Sequence, residues 1–308
     1  MTRLILIFIL IARAQIGISQ TNEKVIITGS RFTYPLIRKW IEEFTKTNPN
    51  VQFSIIPRGT PNVDSANVII NAHELSPEEI RPSYKVINIA RYALLPVANE
   101  KNPALATYEK KGLSEKELKA LFFKKYDPLQ VEDKKPKKSG KEEFSLTLYT
   151  REQKACAPTT FARNFGFDQS EIVGTPIGGD DHHLISAVQK DPNGITYNNL
   201  GFIYDLKTRQ VNKGLKVIPI DANGNDKLSE DENFYFTLDQ VIAKVEKNSV
   251  PGITVGLVNL SFPTPIGEQK NIARFLDWVL NEGQKYNHEF GFLNMEDSFI
   301  SKQREKLK

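Results

Sequence analysis

Apolar and polar residues alternate along this chain in a way that predicts strands and helices in turn. The segment KVIITG has the pattern of a short buried strand, and the segment after it carries apolar side chains at helical spacing. These side chains are Tyr34, Ile37, Trp40, Ile41 and Phe44. Thr33 and Pro35 stand where a helix cap and a first-turn proline are expected. VQFSII and ANVIINA are two more strands, so residues 24–72 predict a parallel β-α-β unit and one further strand.

The same alternation continues to the C-terminus. It predicts an extended stretch in KVINIARYALLPVANEKNP, a helix in GLSEKELKALF with a capping box of Ser114 and Glu117, and a strand that ends at Arg151. Thr159 or Thr160 is expected to begin the next helix. Later helices are predicted in HHLISAVQKD, LDQVIAKV and NIARFLDWVLNEGQKYNHEF, and strands in GITYNN, KVIPI and ITVGLVNL. This order is typical of α/β architecture. The lysine-rich segment YDPLQVEDKKPKKSGKEEF is predicted to be a solvated loop or hairpin.

The first nineteen residues have the layout of a secretory signal. Arg3 precedes an apolar block from Leu4 to Ala12, and small residues follow it. The apolar block is too short to span a bilayer. We therefore expect cleavage near Ala14 or Ser19 and a soluble product exported to the periplasm.

Size and cysteine content constrain the remaining chain. Almost 290 residues are left after residue 19, and a chain of that length usually divides into two lobes rather than one core. We expect residues 20–92 and 258–308 to form lobe 1 and residues 93–257 to form lobe 2, joined by two crossover strands. One cysteine cannot form an intrachain disulfide, so stability must come from the buried core.

The charge of the chain is nearly balanced. Its 41 basic and 37 acidic residues give a formal net charge of +4. Removing residues 1–19 takes away two arginines and no acidic residue, so the net charge falls from +4 to +2. A nucleic-acid-binding protein would normally have a strongly basic face, so this balance argues against that class.

Two places in the chain have the local design of an anion site, namely a strand, a turn with a small hydroxyl residue, and a helix start. The first comprises Gly29, Ser30, Thr33 and Tyr34, and the second comprises Arg151, Thr159 and Thr160. The free amides and the dipole of a helix N-terminus favour an oxyanion, and Arg151 would add a forked, permanently charged donor. Threonines also cap helices for purely structural reasons, so either place alone also fits a structural role.

The order of these segments resembles the phosphate-binding substrate-capture proteins of bacterial ABC phosphate transporters, from about Val25 to Met295. The resemblance rests on GSRFTYPLIRKW, NPALATYEKKGLSEKELKALF, the APTTF segment after Arg151, NGITYNNLGFIYD and ARFLDWVLNEGQKYNHEFGF. It implies a type II Venus-flytrap fold of two α/β lobes that close on phosphate and deliver it to an ABC permease. No chemistry on the ligand is required, so the resemblance implies a binding protein rather than an enzyme, with no required cofactor. We expect a monomer.

The two anion sites and the resemblance together give a set of candidate ligand-binding residues. They are Ser30, Thr33, Tyr34, Arg58, Gly59, Thr60, His73, Arg151, Thr159 and Thr160. His73 falls, by counting, where the family has an aspartate that accepts the proton of hydrogen phosphate. Preference for phosphate over sulfate therefore depends on another acceptor, such as Glu74, because sulfate has no proton to donate. Ala157 and Pro158 remove a hydroxyl and an amide donor that the family has, and Arg58 can compensate by charge.

DANGNDKLSEDE, from Asp221 to Glu232, resembles a twelve-residue calcium loop. The expected ligands are Asp221, Asn223, Asn225, the carbonyl of Lys227, Ser229 and Glu232. Asp226 stands where glycine is usual. We expect a structural Ca²⁺ of weak affinity, on the order of 10⁻⁴ to 10⁻³ M, because few of the ligands are charged. A simple Asn-Gly turn between strands is the alternative.

Two rival functions remain open. Cys156 can be the nucleophile of a cysteine-dependent hydrolase if His182 or His183 acts as its base, although it equally fits a small, half-buried residue before a helix. In the hydrolase, alkylation of Cys156 would abolish function. The second rival is an exported bilobal interaction or scaffold protein that has lost anion binding. It would give no heat of binding with phosphate, sulfate, molybdate or tungstate.

Overall fold

The computed structural model of the chain describes residues 24–123, 146–266 and 269–308. The predicted signal, residues 1–19, and the predicted lysine-rich loop lie outside these residues. Within the described part of the chain, every helix is too short or too polar to cross a membrane.

Strands and helices alternate as the sequence pattern predicts. The strands are β1 (Lys24–Gly29), β2 (Gln52–Ile55), β3 (Val68–Asn71), β4 (Tyr84–Asn99), β5 (Leu113–Ser114), β6 (Thr147–Arg151), β7 (Thr175–Ile177), β8 (Gly194–Asn199), β9 (Leu215–Val217), β10 (Ile220–Asp221) and β11 (Thr254–Pro263). The helices are α1 (Tyr34–Thr47), α2 (Leu105–Lys111), α3 (Glu115–Phe122), α4 (Cys156–Asn164), α5 (Asp181–Lys190), α6 (Leu200–Ile203), α7 (Leu238–Lys247), α8 (Lys270–Leu280) and α9 (Asp297–Glu305).

Most of the described strands form one continuous sheet in the order β2-β1-β3-β11-β4-β8-β6-β7, with β9 paired to β4. Strand β1 is parallel to both β2 and β3, which confirms the predicted β-α-β unit. Strands β8, β6 and β7 form a second parallel group. Parallel strands need helical crossovers, and their C-terminal ends meet the starts of the following helices at one edge.

Two long antiparallel strands, β4 and β11, connect the two parallel groups. Strand β11 pairs with β3 near its C-terminal end and with β4 along its whole length. The C-terminal part of β4 then pairs with β8 and β9. The predicted lobe boundaries, after residues 92 and 257, fall within these two strands. The lobe boundaries at residues 92/93 and 257/258 stay a prediction.

Helix α1 shows why the first parallel group is stable. Its side chains Leu36, Ile37, Trp40 and Phe44 are buried because they recur on one face of the helix and pack against the sheet. The indole of Trp40 is fully buried, and its Nε1 donates a hydrogen bond to the carbonyl of Gly283 at 2.8 Å. This packing fixes the start of α1 relative to the end of β1.

Helix α4 begins earlier than the sequence predicts. Its first residue is Cys156, not Thr159 or Thr160, so that prediction was wrong. Proline at the third helical position, Pro158, is consistent with the earlier start because amides in the first turn have no intrahelical acceptor to lose. Because α4 starts at Cys156, the amides of Cys156 and Ala157 lie in its first turn.

Candidate functional site

The first wall of the candidate site is the turn that follows β1. Gly29 has φ 138°, and the amide of Ser30 donates to the carbonyl of Ile70 at 3.0 Å, which ties the turn to β3. The hydroxyl of Thr33 donates to the carbonyl of Ser30 at 2.7 Å, and the hydroxyl of Tyr34 bonds the amide and carbonyl of Gly29. Thr33 and Tyr34 thus stabilise the turn and leave Ser30 at the cavity.

The second wall is the start of α4. The amide of Ala155 and the hydroxyl of Thr159 both donate to Oε1 of Gln169 at 3.1 Å. Cys156 and Ala157 follow as the first two helical residues, so their amides have no acceptor within the helix. The start of α4 therefore offers two backbone donors and the positive end of a helix dipole.

Residues of both walls line a cavity of about 300 Å³. It is lined by Gly29, Ser30, Arg31, Phe32, Pro35, Arg58, Arg151, Gln153, Lys154, Ala155, Cys156, Ala157, Gly179, Asp180, Asp181 and Phe202. Its volume is at the lower end of the range for small-molecule sites. The two helix starts thus face one small cavity.

Cationic side chains outnumber carboxylates around this cavity. Arg31, Arg58, Arg151 and Lys154 line it together with two aspartates at the start of α5. Nη2 of Arg58 donates to Oδ1 of Asn71 at 2.6 Å, which holds the guanidinium at the edge of β3. The excess of positive charge favours a small anion.

Arg151 is paired with the buried carboxylate of Asp181. Its Nη1 lies 2.9 Å from Oδ1 of Asp181, and its Nη2 donates to the carbonyl of Gly179. Burial of Asp181 raises its pKa above the usual range, although the charge of Arg151 opposes the rise. The Nε of Arg151 is buried without a hydrogen-bond partner in the described part of the protein. One donor of this arginine therefore remains unused.

Asp180 is the second aspartate at the cavity. Its Oδ1 accepts the amides of His182 and His183 and lies 2.7 Å from Nδ1 of His183. Among the described residues, no protein donor is recorded for its Oδ2. Asp180 thus caps α5 with Oδ1, and as a residue of the cavity lining it keeps a second oxygen that can accept a hydrogen bond.

Cys156 lies at the cavity wall within a chain of polar contacts. Its Sγ is 3.2 Å from Nδ1 of His73 and 3.1 Å from Oγ of Ser30, and Nε2 of His73 is 3.2 Å from Oε1 of Glu79. Burial raises the pKa of the thiol, but the hydrogen bond and charge of His73 outweigh burial and hold that pKa below its ordinary value. The pKa of His73 is raised, chiefly by its hydrogen bond to Cys156. The contact between the two side chains therefore lowers the pKa of the thiol and raises the pKa of the imidazole.

Thr160 and Arg163 connect α4 to the loop after β3. The hydroxyl of Tyr92 on β4 lies 2.5 Å from the carbonyl of Ala72 and 2.9 Å from Oγ1 of Thr160, which is itself 3.1 Å from the same carbonyl. The two hydroxyl protons can serve two of these three contacts at a time, so the three groups form one polar cluster. Nη1 of Arg163 donates to the carbonyl of Glu74. These bonds tie α4 to the loop that follows β3.

The structure brings some of the predicted ligand-binding residues together and leaves others apart. Ser30, Arg58 and Arg151 line the cavity. His73 contacts Cys156, which also lines it. The other candidates do not line it: Thr33, Tyr34, Gly59, Thr60, Thr159 and Thr160. The hydroxyls among them bond to other protein atoms, as Thr60 does with the carbonyl of Pro57.

Several residues at the site were not found from the sequence. Arg31 and Lys154 are cationic residues beside the predicted turns, and Asp180 and Asp181 are not among the predicted ligand-binding residues. The segment GGDDHH was the available signal, because adjacent acids at a helix start can bind the arginine at the end of a neighbouring strand. The side chain of Glu74, the predicted alternative acceptor, is exposed and does not line the cavity.

The histidines predicted as bases for Cys156 lie elsewhere. His182 and His183 are exposed at the start of α5, and the ring of His183 pairs with Asp180. His73 instead contacts Cys156. The histidine that contacts the thiol is therefore not one of the two that the sequence predicted.

The 221–232 loop is held by its own carboxylates. Asp221 accepts hydrogen bonds from the amides of Gly224, Asn225 and Asp226. Asp226 has φ 61°, the left-handed conformation that a calcium loop needs at this position. Glu232 accepts hydrogen bonds from the amides of Ala222, Asn223 and Ser229. It also accepts hydrogen bonds from the side chains of Asn223 and Ser229. Among the described residues, no three His, Cys, Asp or Glu side chains cluster as a metal site. Calcium binding by Asp221, Asn223, Asn225, Lys227, Ser229 and Glu232 stays a prediction.

Substitution of Glu232 by Gln is expected to destabilise the protein by about 1 to 3 kcal/mol at neutral pH, because the amide nitrogen would face donors. Burial raises the pKa of Glu232, but Ser229 and the loop amides outweigh it and hold that pKa below 4.5. This contribution is therefore present above pH 4.5 and lost as pH falls through the lower folded-state value. Urea denaturation from pH 7 to pH 3 should show the two proteins converging, and a constant difference would contradict this account. Calcium added to the wild type tests the metal prediction in parallel.

Comparison with known proteins places this fold in a class. No family model matches the chain, and no curated protein matches it. Solved structures do match, and they show the α/β fold of bilobal periplasmic binding proteins, which confirms the predicted fold class.

A putative phosphate ABC transporter substrate-binding protein from Clostridium perfringens, solved with bound phosphate, is 18% identical with a TM-score of 0.60. The match covers 89% of this chain and 100% of that one. An ABC-type phosphate transport receptor from Vibrio cholerae is 15% identical with a TM-score of 0.57, over 88% and 100% of the two chains. The regulatory domain of MetR, a LysR family regulator from N. meningitidis, is 11% identical with a TM-score of 0.51, over 89% and 98%. At these identities the likeness establishes the fold, and function must be argued from the site.

Proposed function

We propose that this chain is an exported solute-binding protein that captures inorganic phosphate, or a related tetrahedral oxyanion, for an ABC transporter. The observation that carries the proposal is the cavity where the turn after β1 meets the start of α4, lined by four cationic side chains and two carboxylates. Two structural neighbours are phosphate-transport binding proteins by name, which supports the same ligand class. The ABC permease, the periplasmic location and the monomeric state are parts of this proposal.

Each group at the cavity has a role in this proposal. Arg31, Arg58 and Lys154 attract the anion, and the amides at the start of α4 bind its oxygens. Nε of Arg151, which has no hydrogen-bond partner among the described residues, would supply a further charged donor. No reaction of the ligand is needed, because the transporter requires only capture and release.

Asp180 is the group that distinguishes phosphate from sulfate. Hydrogen phosphate can donate its proton to Oδ2 of Asp180, whereas sulfate has no proton at neutral pH and would face an unfavourable carboxylate. Leaving such a group unpaired costs about 1 to 3 kcal/mol. Asp180 thus takes the role that the resemblance assigned to the position of His73.

Calorimetric titration is expected to show tighter binding of phosphate than of sulfate, and Asp180→Asn is expected to reduce that preference by about tenfold. Asp231→Asn is the matched control, because Asp231 is an exposed acid paired with Lys244. It should leave both affinities unchanged. Absence of heat with phosphate, sulfate, molybdate and tungstate would instead support the interaction-protein alternative.

A further inference from the structure

We propose that Cys156, His73 and Glu79 form a nucleophilic site that accepts an acyl group from small anionic esters entering the cavity. The geometry has the three parts that such chemistry requires. The nucleophile Sγ is 3.2 Å from Nδ1 of a histidine, and the other ring nitrogen is 3.2 Å from a carboxylate that orients it. The third part is the pair of free amides at the start of α4, of which Cys156 is the first residue.

The arrangement differs from that of an inert cysteine. A structural cysteine packs among apolar groups, whereas Sγ of Cys156 contacts the hydroxyl of Ser30 and the ring of His73, and the residue lines an open cavity. The side chain of Arg151 is a further polar group at the same cavity whose hydrogen-bonding capacity is not fully used. It is 10% exposed, lines the cavity, and has a buried Nε without a hydrogen-bond partner in the described part of the chain.

The reaction balances without any external oxidant or reductant. The proton of the Cys156 thiol moves to Nδ1 of His73 while Nε2–H faces Glu79. Sγ then forms a bond to the carbonyl carbon, and the developing negative oxygen lies at the amides of Cys156 and Ala157. The ester C–O bond breaks, and the departing alkoxide takes the proton from Nδ1. Water hydrolyses the resulting thioester, releases the acid and restores the thiol.

The cationic lining sets the substrate class. Arg31, Arg58 and Lys154 line the cavity beside Cys156, so an ester that carries a second carboxylate or a phosphate is held, whereas a neutral ester is not. The proposal goes beyond anion capture because it requires bond formation at Sγ.

The test uses the full chain and two chromogenic probes of similar size, the mono(4-nitrophenyl) ester of terephthalic acid, whose carboxylate cannot reach its own ester, and 4-nitrophenyl benzoate. We expect a burst of 4-nitrophenolate with a matching mass gain on Cys156, at least about tenfold faster for the anionic ester. Cys156→Ser should abolish the mass gain, and His73→Gln should slow the burst by about a hundredfold or more. His182→Gln is the control and should leave the rate unchanged, because that histidine is exposed at the start of α5.

A second measurement needs no variant. Carboxylate repulsion normally makes iodoacetate slower than iodoacetamide towards a thiolate, and the cationic cavity should reverse this order at Cys156. Equal acylation of both esters, unchanged rates in His73→Gln, or the ordinary order of the two alkylating reagents would overturn the proposal. Calorimetry with phosphate tests the proposed anion capture separately. A failure of anion capture can therefore be distinguished from a failure of acylation at Cys156.

Discussion

Replacing Gly29 with alanine is expected to lower the free energy of unfolding by at least about 3 kcal/mol. Gly29 has φ 138°, which side chains other than glycine rarely adopt, and a Cβ there would lie 1.9 Å from the carbonyl oxygen of Ile70. That oxygen accepts the amide of Ser30, so the clash would separate β1 from β3 at the cavity. Urea denaturation followed by circular dichroism measures the change.

Gly59→Ala is the matched control for this prediction. Gly59 also has positive φ, at 82°, but no atom lies within 4 Å of the position of an added Cβ. Only backbone strain is added there, so we expect a loss of about 1 kcal/mol. Similar losses for the two variants would show that the clash with Ile70 is not the cause.

Replacing Arg151 with alanine is expected to have the second large effect, on both stability and binding. The side chains of Arg151 and Asp181 are 10% and 11% exposed, and removing one partner leaves a buried charge at a cost of about 3 to 5 kcal/mol. The pKa of Asp181, already raised by burial, should rise further without Arg151. Since a raised carboxyl pKa favours the folded state at low pH, the loss should shrink as pH falls. Anion affinity should fall more than about tenfold.

The double variant Arg151→Ala with Asp181→Asn separates these two effects. It removes the uncompensated charge, so it should recover most of the stability without recovering phosphate affinity. Arg304→Ala is the control, because Arg304 and Asp277 form an exposed pair that contributes at most about 1 kcal/mol. Retention of tight phosphate binding in the double variant would count against the proposed role of Arg151.

The local patterns of the sequence predict most of the helices and strands because each has its own periodicity. The capping box of Ser114 and Glu117 is present, and the strand predicted to end at Arg151 ends there. The threonines at 159 and 160 predict a start of α4 that is too late, whereas Pro158 fits the first turn of the observed helix. A proline near a helix start carries the stronger steric information.

The candidate site was harder to predict than the fold because its contacts join distant parts of the chain. Cys156 and His73 are 83 positions apart, and they meet only because α4 packs beside the end of β3. Local sequence instead favoured His182 and His183, which are nearer in the chain. Helix α4 packs against β11, which lies between β3 and β4 in the sheet, so this contact depends on packing across the sheet and not on any local motif.

The polar cluster of Tyr92, Ala72 and Thr160 has a kinetic consequence for the proposed function. These groups join the loop after β3 to β4 and α4, so a hinge motion that moves α4 away from that loop would have to break contacts among them. If capture and release use such a motion, the dwell times of different anions would share this opening step.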